Sequence, residues 1–382
     1  MKKLFALMLA VVMIAAMCTA CGGKGYTSDN TEYVIGASGP LTGAAAVYGV
    51  AVQNSAQMAV DEINAAGGLN GIKFKLVMMD DKHDAANISS NYSSLLEGGM
   101  QVSLGTVTTA PGMEFKNLAN DDNVFFLPPS ASGDKIPEFE NGFQICFADG
   151  NQGKVAADFI NQNFAGQTIG VFFKSDDPYS TGIFDQFKAN LDASVTYIET
   201  SFSAANETDF SVQIDTLKDC KFVFMPIYYT PASIFMTQAK DIMPADAVYY
   251  GCDGFDGIDS AEGFDINAIP QSVTMLSHFN SKAESGPAKE FIDKYVAAYG
   301  ADTLNQFGAS AYDCVYAIYG AMQNAINAGK EIPVDISASD LCDILKADFA
   351  GGYTVTNAVT GESITWEANG YVNKTAIQYV IK

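Results

Sequence analysis

The stretch YVIGASGPLTGAAAVYGVAVQNSAQMAVDEINAAGGLNG, residues 33–71, carries the pattern that decides the fold. The short apolar run at 33–37 is typical of a buried strand, and a loop of small and hydroxyl-bearing residues follows it. Across 47–66, apolar residues recur at helical spacing with polar residues opposite, and Gly67-Gly68 ends that pattern. The stretch therefore predicts a strand, a loop and an amphipathic helix in succession.

The same alternation of short apolar runs and amphipathic segments continues along the chain. Strands are predicted at 33–37, 74–79, 102–104, 124–127, 143–147, 168–173, 195–198, 222–225, 247–250 and 273–276. Helices are predicted at 47–66, 87–98, 111–120, 150–164, 183–191, 209–219, 231–241, 287–299, 306–328 and 339–347. This rhythm runs over 33–147 and again over 168–276, so we predict an α/β fold of two similar lobes, each a doubly wound parallel sheet. A hairpin-like segment at 353–382 has a turn at Asn369-Gly370 and then a terminal strand.

Composition narrows the classes of function. The 382 residues suit two lobes better than one core, and 48 % of them are hydrophobic. The formal charge of −23 argues against nucleic-acid binding, which needs cationic side chains to displace counterions. All 21 cationic side chains are lysines, so no arginine fork exists to bind a carboxylate. A bound anion must therefore rest on hydroxyls, backbone N–H groups, helix N-termini or lysine.

The N-terminus has the pattern of an export signal. Lys2 and Lys3 precede an uncharged apolar run at 4–20, which ends in small residues. The Ala20-Cys21 junction resembles the bacterial lipobox, and this resemblance implies that 1–20 is removed and that Cys21 is acylated. Residues 21–31 then form a flexible tether. The alternative is an uncleaved membrane anchor, for which the apolar run is short.

The remaining cysteines do not suggest a disulfide framework or a metal site. Five widely spaced cysteines remain after Cys18 and Cys21 are set aside: Cys146, Cys220, Cys252, Cys314 and Cys342. Their odd number predicts buried free thiols. Apart from Cys18-Thr19-Ala20-Cys21 at the end of the predicted signal, the sequence contains no C-x-x-C motif, and it has no histidine pair at metal-ligand spacing, so we expect no metal and no cofactor.

The loops that follow the predicted strands hold the candidate binding residues. In open α/β sheets, ligands bind outside the carboxyl ends of the strands. The first half presents small and hydroxyl-bearing residues there, whereas the second half presents tyrosines and acids. The candidates are Tyr48, Thr108, Thr109, Ser130, Ala131 and Ser132 in the first half, and Tyr179, Tyr228, Tyr229 and Asp253 in the second.

This asymmetry predicts a dipolar ligand. Hydroxyls at helix N-termini form an anion site without a cation, and an acid opposite them forms a cation site. Aromatic rings between the two supply an apolar wall, so an α-amino acid fits the arrangement. The alternative interpretation is that these serines, threonines and Asp253 are ordinary turn and helix-capping residues.

Three segments resemble the leucine/isoleucine/valine-binding group of type I periplasmic binding proteins. They are Gly39-Pro40-Leu41-Thr42-Gly43, the run at 59–71, and Asp80-Asp81 after a strand. The resemblance spans most of 31–382 and implies a clamshell with three hinge crossovers. Its lobes would comprise 32–148 with 278–350, and 149–277 with 351–382.

The resemblance also implies roles for the candidate residues. Thr108-Thr109 and Ser130-Ala131-Ser132 would bind the ligand carboxylate, and Asp253 would bind its ammonium group. Tyr48, Tyr179 and either Tyr228 or Tyr229 would cover a branched-chain, other apolar or aromatic side chain. The chain lacks the cysteine pair of some members and has Thr230 where acids are common, which leaves the preferred amino acid open.

The implied function is that of an extracytoplasmic, lipid-anchored solute-binding protein that delivers its ligand to an ABC transporter permease. We expect a monomer and no enzymatic activity. Ligands of other chemistry remain alternatives within this fold: an aromatic or short carboxylic acid, an amide or a nucleoside.

A secreted hydrolase is the less favoured alternative. Ser132-Gly133-Asp134-Lys135 fits the S-x-x-K pattern, but the S-D-N at 28–30 precedes it and no K-T-G follows. Of the two histidines, His83 lies in a polar turn and is predicted to be solvated, whereas His278 is predicted to be structural at a hinge.

Overall fold

The structure, a computed structural model, describes residues 30–382. The predicted signal at 1–20, Cys21 and nearly all of the tether at 21–31 lie outside the described residues. Among the residues described, no helix combines the length and apolar character needed to cross a bilayer.

The first sheet is built on the stretch that opens the sequence. It contains β1 (Tyr33–Gly39), β2 (Phe74–Asp80) and β3 (Val102–Ser103), paired in parallel in the order β2-β1-β3. Every residue of β1 is buried, as expected of a central parallel strand. The helices that follow these strands are α1 (Ala46–Ala65), α2 (Ile88–Glu97) and α3 (Thr109–Asp121).

The second sheet has six strands, of which five follow in sequence. These are β4 (Thr168–Lys174), β5 (Thr196–Phe202), β6 (Phe222–Met225), β7 (Val248–Gly251) and β8 (Ser272–Ser277), and they pair in parallel. The helices of this part are α4 (Asp149–Asn163), α5 (Pro178–Asn190), α6 (Ser211–Leu217) and α7 (Tyr229–Ala239). The sheet order β8-β7-β6-β4-β5 reproduces the doubly wound pattern expected from the sequence.

After β8 the chain returns to the first sheet. The helices there are α8 (Gly286–Tyr299), α9 (Gln306–Asn327) and α10 (Ala338–Ala350), and α9 packs against α1. A hairpin of β9 (Thr354–Ala358) and β10 (Gly361–Thr365) follows, and β9 contacts α8 and α9. The last strand, β11 (Ile377–Val380), adds antiparallel to β8 in the second sheet.

The α/β class and the two doubly wound parallel sheets are confirmed, and the chain passes between the sheets three times. The lobe boundaries stay a prediction. The five remaining cysteines are buried and free, as predicted: Cys146, Cys220, Cys252, Cys314 and Cys342.

Two predicted strands are wrong. The segment 124–127 forms only isolated bridges, through Phe126 with Ser103 and Gly142, and 143–147 contains no strand or bridge. Pro128-Pro129 removes two backbone donors directly after the first segment, which stops its ladder. In the second segment, Phe143 and Ile145 donate to the carbonyls of Phe126 and Pro128, whereas the Gln144 N–H donates to the carbonyl of Gly370. The turn at Asn369-Gly370 closes a single bridge, Trp366–Val372, before the chain continues to β11.

Trp366 links the C-terminal hairpin to the first crossover. Its ring is 1 % exposed and packs against Phe349 and Tyr353, and its Nε1–H donates to the Gln144 carbonyl at 2.7 Å. Replacing it removes both a large buried surface and a satisfied buried hydrogen bond.

We expect Trp366→Ala to lower the free energy of unfolding by about 3–5 kcal/mol, the cost of truncating a buried aromatic side chain. Urea denaturation followed by far-UV circular dichroism measures this, because Trp366 is the only tryptophan in the chain. Val212→Ala, at a side chain that is 72 % exposed, is the control and should change stability by about 0.5 kcal/mol or less. A loss below about 1 kcal/mol for Trp366→Ala would contradict the packing described here.

Candidate functional site

The loops at the carboxyl ends of both sheets meet around one small cavity. Nine residues line it: Tyr48, Val107, Thr108, Ser130, Ser132, Tyr179, Tyr228, Asp253 and Phe307. Seven of the ten predicted ligand-binding residues are in this set. Thr109 and Ala131 are buried beside cavity-lining neighbours, and Tyr229 packs behind Tyr48 with ring centroids 5.1 Å apart.

The first wall carries hydroxyl groups at the start of α3. Thr108 is the N-cap residue of α3, yet its side chain makes no capping hydrogen bond. Its Oγ1 instead lies 2.9 Å from Nδ1 of His83. The Thr109 Oγ1 is buried without a partner, whereas the Ser130 Oγ donates to the Val107 carbonyl at 2.6 Å. Ordinary capping therefore does not account for Thr108 or Thr109.

The opposite wall carries a buried acid. Asp253 opens a short 3-10 turn directly after β7, and it is 2 % exposed. Its Oδ1 accepts the Tyr179 hydroxyl at 2.7 Å, and its backbone N–H donates to Oε1 of Gln152 at 2.9 Å. The Gly254 N–H donates to the same Tyr179 hydroxyl oxygen at 2.9 Å. A Cβ at Gly254 would lie 2.7 Å from that oxygen, so only glycine allows this approach.

Tyr48 reaches from the first wall to the second. Its hydroxyl donates to the Gly254 carbonyl at 2.5 Å and accepts the Tyr229 N–H at 3.3 Å. Phe307, from the first turn of α9, packs edge-on against the Tyr48 ring at 4.8 Å between centroids. The two walls are thus joined by hydrogen bonds beside the cavity.

The ionisable carboxyl groups in and beside the cavity have no cationic side chain among the lining residues. None of its nine lining residues is cationic. Burial raises the pKa of Asp253 to about 6, although the Tyr179 hydroxyl and the backbone N–H groups oppose that rise. A second acid, Asp149 at the start of α4, is also buried; burial and the charge of Asp253 raise its pKa well above the usual range. The site therefore favours a cationic group next to Asp253.

Several residues around the cavity were not predicted from the sequence. Val107 and Phe307 line it, Gln152 orients Asp253, and Asp149 lies behind Ser132. The prediction that His83 is solvated is wrong. The side chain is half-buried, burial lowers its pKa to about 4, and its ring meets the Tyr228 ring edge-on at 5.0 Å. Left-handed backbone at Lys82 and His83 turns the ring inward.

The remaining expectations concern His278 and metals. His278 is buried at the second crossover, where its Nε2 lies 2.6 Å from the Ser310 hydroxyl. Within residues 30–382, no group of three or more His, Cys, Asp or Glu side chains is arranged to hold a metal ion.

Comparison with known proteins identifies the family. The periplasmic binding protein profile matches residues 32–339. The chain belongs to this family. The family consists of extracytoplasmic solute-binding proteins rather than enzymes, in agreement with the resemblance stated above.

Curated relatives of this periplasmic binding protein include amino-acid-binding proteins. The Leu/Ile/Val-binding protein BraC3 of Rhizobium johnstonii is 25 % identical over 351 residues, covering 90 % of this chain and 94 % of that protein. The leucine-, isoleucine-, valine-, threonine-, and alanine-binding protein of Pseudomonas aeruginosa is 27 % identical, covering 84 % of this chain and 85 % of its own length.

Solved structures share the fold. The branched-chain amino acid transporter substrate-binding protein LivJ of Streptococcus pneumoniae, in complex with isoleucine, has a TM-score of 0.73 and 25 % identity. That match covers 91 % of this chain and all of LivJ. A solute-binding protein of R. palustris in complex with benzoate has a TM-score of 0.76 at 16 % identity, covering 92 % and 93 % of the two chains, and it shows the fold alone.

The pKa of Asp253 predicts how the stability of this periplasmic binding protein depends on pH. The folded pKa of about 6 exceeds the unfolded value of about 3.9, so the folded state holds the proton to higher pH. The free energy of unfolding of the ligand-free protein should therefore fall between about pH 4 and pH 6. Asp253 contributes at most about 3 kcal/mol of that fall, since one pKa unit equals about 1.4 kcal/mol.

Urea denaturation of ligand-free protein across this range measures the effect, and Asp253→Asn should show a shallower pH dependence than the wild type. Glu199→Gln, on the exposed face of β5, is the control and should keep the wild-type dependence. If the free energy of unfolding depended on pH equally in Asp253→Asn and the wild type, the pKa of the Asp253 carboxyl would not be raised by folding.

Proposed function

We propose that this protein captures an amino acid between its two lobes and delivers it to the permease of an ABC importer. The observation that carries the proposal is the pairing of a buried carboxylate on one wall with uncharged hydroxyl groups on the other. A dipolar solute matches both walls at once. The names of the relatives, which bind leucine, isoleucine, valine, threonine or alanine, support the same class of ligand.

In this proposal Asp253 binds the ligand ammonium group. The Tyr179 hydroxyl occupies one lone pair of Oδ1 and fixes the direction of the carboxylate. An ammonium ion restores the charge balance that burial of Asp253 disturbs, so its binding stabilises the ionised form.

The ligand carboxylate would rest on the first wall. Thr108 and Thr109 begin α3, where backbone N–H groups and the helix dipole favour an anion. The loop of Ser130, Ala131 and Ser132 lies beside them, and the unpartnered Thr109 hydroxyl is available as a further donor. This arrangement needs no arginine, which the chain does not contain.

The ligand side chain would lie against the aromatic rings. Tyr48, Tyr179, Tyr228 and Phe307 line the cavity together with Val107, giving a predominantly apolar surround. Tyr228 rather than Tyr229 faces this space, which supports Tyr228 as the ligand contact. Tyr229 then acts indirectly, by supporting Tyr48.

Attachment to the membrane is the second part of the proposal. Acylation of Cys21 would hold the mature protein at the cell surface as a monomer, with the tether at 21–31 allowing it to meet the permease. The lipobox-like junction at Ala20-Cys21 supports this.

An aromatic carboxylic acid is a second candidate ligand. The benzoate complex of the R. palustris protein and the four aromatic rings of the cavity favour it. Such a ligand would leave Asp253 without a cation, so it would bind with Asp253 protonated. Its affinity should then fall as the pH rises above about 6, whereas that of an amino acid should increase as the pH rises toward 6 and then level off.

A thermal-shift screen of purified mature protein against the common amino acids and benzoate tests the ligand class, because a ligand that binds only the folded state raises the Tm. We expect amino acids, and not benzoate, to raise the Tm. For the best amino acid, Asp253→Ala should weaken binding by about 2–5 kcal/mol, which is about 30-fold or more. Glu199→Gln should bind as the wild type does, and unchanged affinity in Asp253→Ala would refute the role assigned to Asp253.

Lipid attachment is tested by metabolic labelling of a bacterial host expressing the full chain with an alkynyl fatty acid. The wild type and Cys18→Ser should incorporate the label, whereas Cys21→Ser should not. Label retained in Cys21→Ser, or absent from the wild type, would contradict the anchor.

A further inference from the structure

The cavity between the lobes is divided from a second space by one aromatic ring. An outer chamber lies beside the cavity and is lined by Ala44, Ala45, His83, Lys174, Asp177, Phe202, Glu207, Ile227, Tyr228, Thr230 and Pro231. Among residues 30–382, only Tyr228 lines both spaces. Its ring is therefore the partition between them.

Neither chamber has much free space in this closed arrangement. The inner cavity leaves about 10 Å³ for the centre of a water molecule, which is room for about one water. The outer chamber leaves about 40 Å³. A ligand with a side chain must therefore displace part of the inner wall.

Of the three tyrosines that line the inner cavity, Tyr228 can move at least cost. The hydroxyl groups of Tyr48 and Tyr179 are fixed by hydrogen bonds to the loop at 253–254. The Tyr228 hydroxyl is buried and has no hydrogen-bond partner in the part of the chain that the structure describes. Only ring contacts hold it, chiefly stacking on Tyr179 at 4.4 Å between centroids and 12° between planes. Displacing Tyr228 breaks no hydrogen bond, whereas displacing Tyr48 or Tyr179 does.

His83 limits how far Tyr228 can retreat. It meets the Tyr228 ring edge-on, and its own ring is held by the Thr108 hydroxyl 2.9 Å from Nδ1. Lys174 and Glu207, which also line the outer chamber, form an ion pair of 2.5 Å. The space for a ligand side chain is thus bounded by the Tyr228 ring, which can be displaced, and by His83 behind it, which is held in place.

We propose that Tyr228, backed by His83, sets the size of the ligand side chain and restricts the site to short side chains, from alanine to valine. This inference rests on the proposed function, because it assigns the preference of the same amino-acid site. Tyr228 contacts the ligand directly, and His83 is a positioning residue that acts through it. The larger side chains of leucine, isoleucine and phenylalanine would have to displace the Tyr228 ring against His83.

Isothermal titration calorimetry on the wild type tests the limit without any substitution. Alanine, threonine or valine should bind at least about tenfold more tightly than leucine and phenylalanine, the effect of one or more methylene groups that do not fit a pocket. Equal affinity for alanine and leucine would overturn the size limit and leave the proposed function intact. Binding of no amino acid would overturn both.

Variants test the partition itself through the ratio of leucine to alanine affinity. Tyr228→Ala should raise this ratio by about tenfold or more, because the two chambers merge. An unchanged ratio in a folded Tyr228→Ala protein would overturn the proposal.

His83→Asn tests the backing residue, and it remains informative if Tyr228→Ala does not fold. Asparagine tolerates the left-handed backbone at this position but is too short to reach the Tyr228 ring. The ratio of leucine to alanine affinity should rise, as in Tyr228→Ala, by about threefold or more. Lys82→Asn is a matched control, since Lys82 has the same left-handed backbone and is exposed, and it should keep the wild-type ratio. The same ratio in His83→Asn and Lys82→Asn would refute the role of His83.

Discussion

The burial of the Asp253 carboxyl group without a cationic neighbour is the constraint on which the rest of the site depends. Burial raises its pKa, the Tyr179 hydroxyl opposes that rise by donating to Oδ1, and Oε1 of Gln152 accepts the Asp253 backbone N–H. A charge in this position is costly unless a cation accompanies it. Asp253 lies where the two walls of the cavity meet. In the proposed function, a ligand with an ammonium group would therefore stabilise the closed arrangement of the lobes by pairing with the buried carboxylate.

The absence of arginine shapes the opposite wall. In the proposed function, the ligand carboxylate would be bound there by neutral donors. The start of α3 supplies hydroxyl and backbone N–H groups for this, in place of an arginine. Thr108 also bonds to His83, so the donor loop is connected to the residue that backs Tyr228. In the proposed function, the residues that would bind the ligand carboxylate and those that would limit its side chain are therefore connected through one threonine.

Much of this could be predicted from local sequence, and what could not depends on distant contacts. The helix predicted at 47–66 is observed at Ala46–Ala65, because its period and its terminal glycines are local signals. The loops around the cavity were identified because parallel strands place their carboxyl ends together. Phe307 gave no such signal; it reaches the site only because α9 packs against α1. His83 appeared solvated because its neighbours are polar, and the backbone conformation that turns it inward is not encoded in hydropathy.

One short loop couples ligand binding to closure. Asp253 supplies the buried acid, Gly254 receives the Tyr48 hydroxyl, and three residues later the chain packs so closely on α1 that a Cβ at Gly257 would lie 2.8 Å from Val47. Between them, Asp256 accepts the N–H of Gln306 at the start of α9 at 2.8 Å. Because these contacts all belong to the short loop 253–257, the loop that carries Asp253 also carries the contacts with α1 and α9. In the proposed function, pairing of the ligand ammonium group with Asp253 and closure of the lobes would therefore depend on the same loop, without a longer-range relay between them.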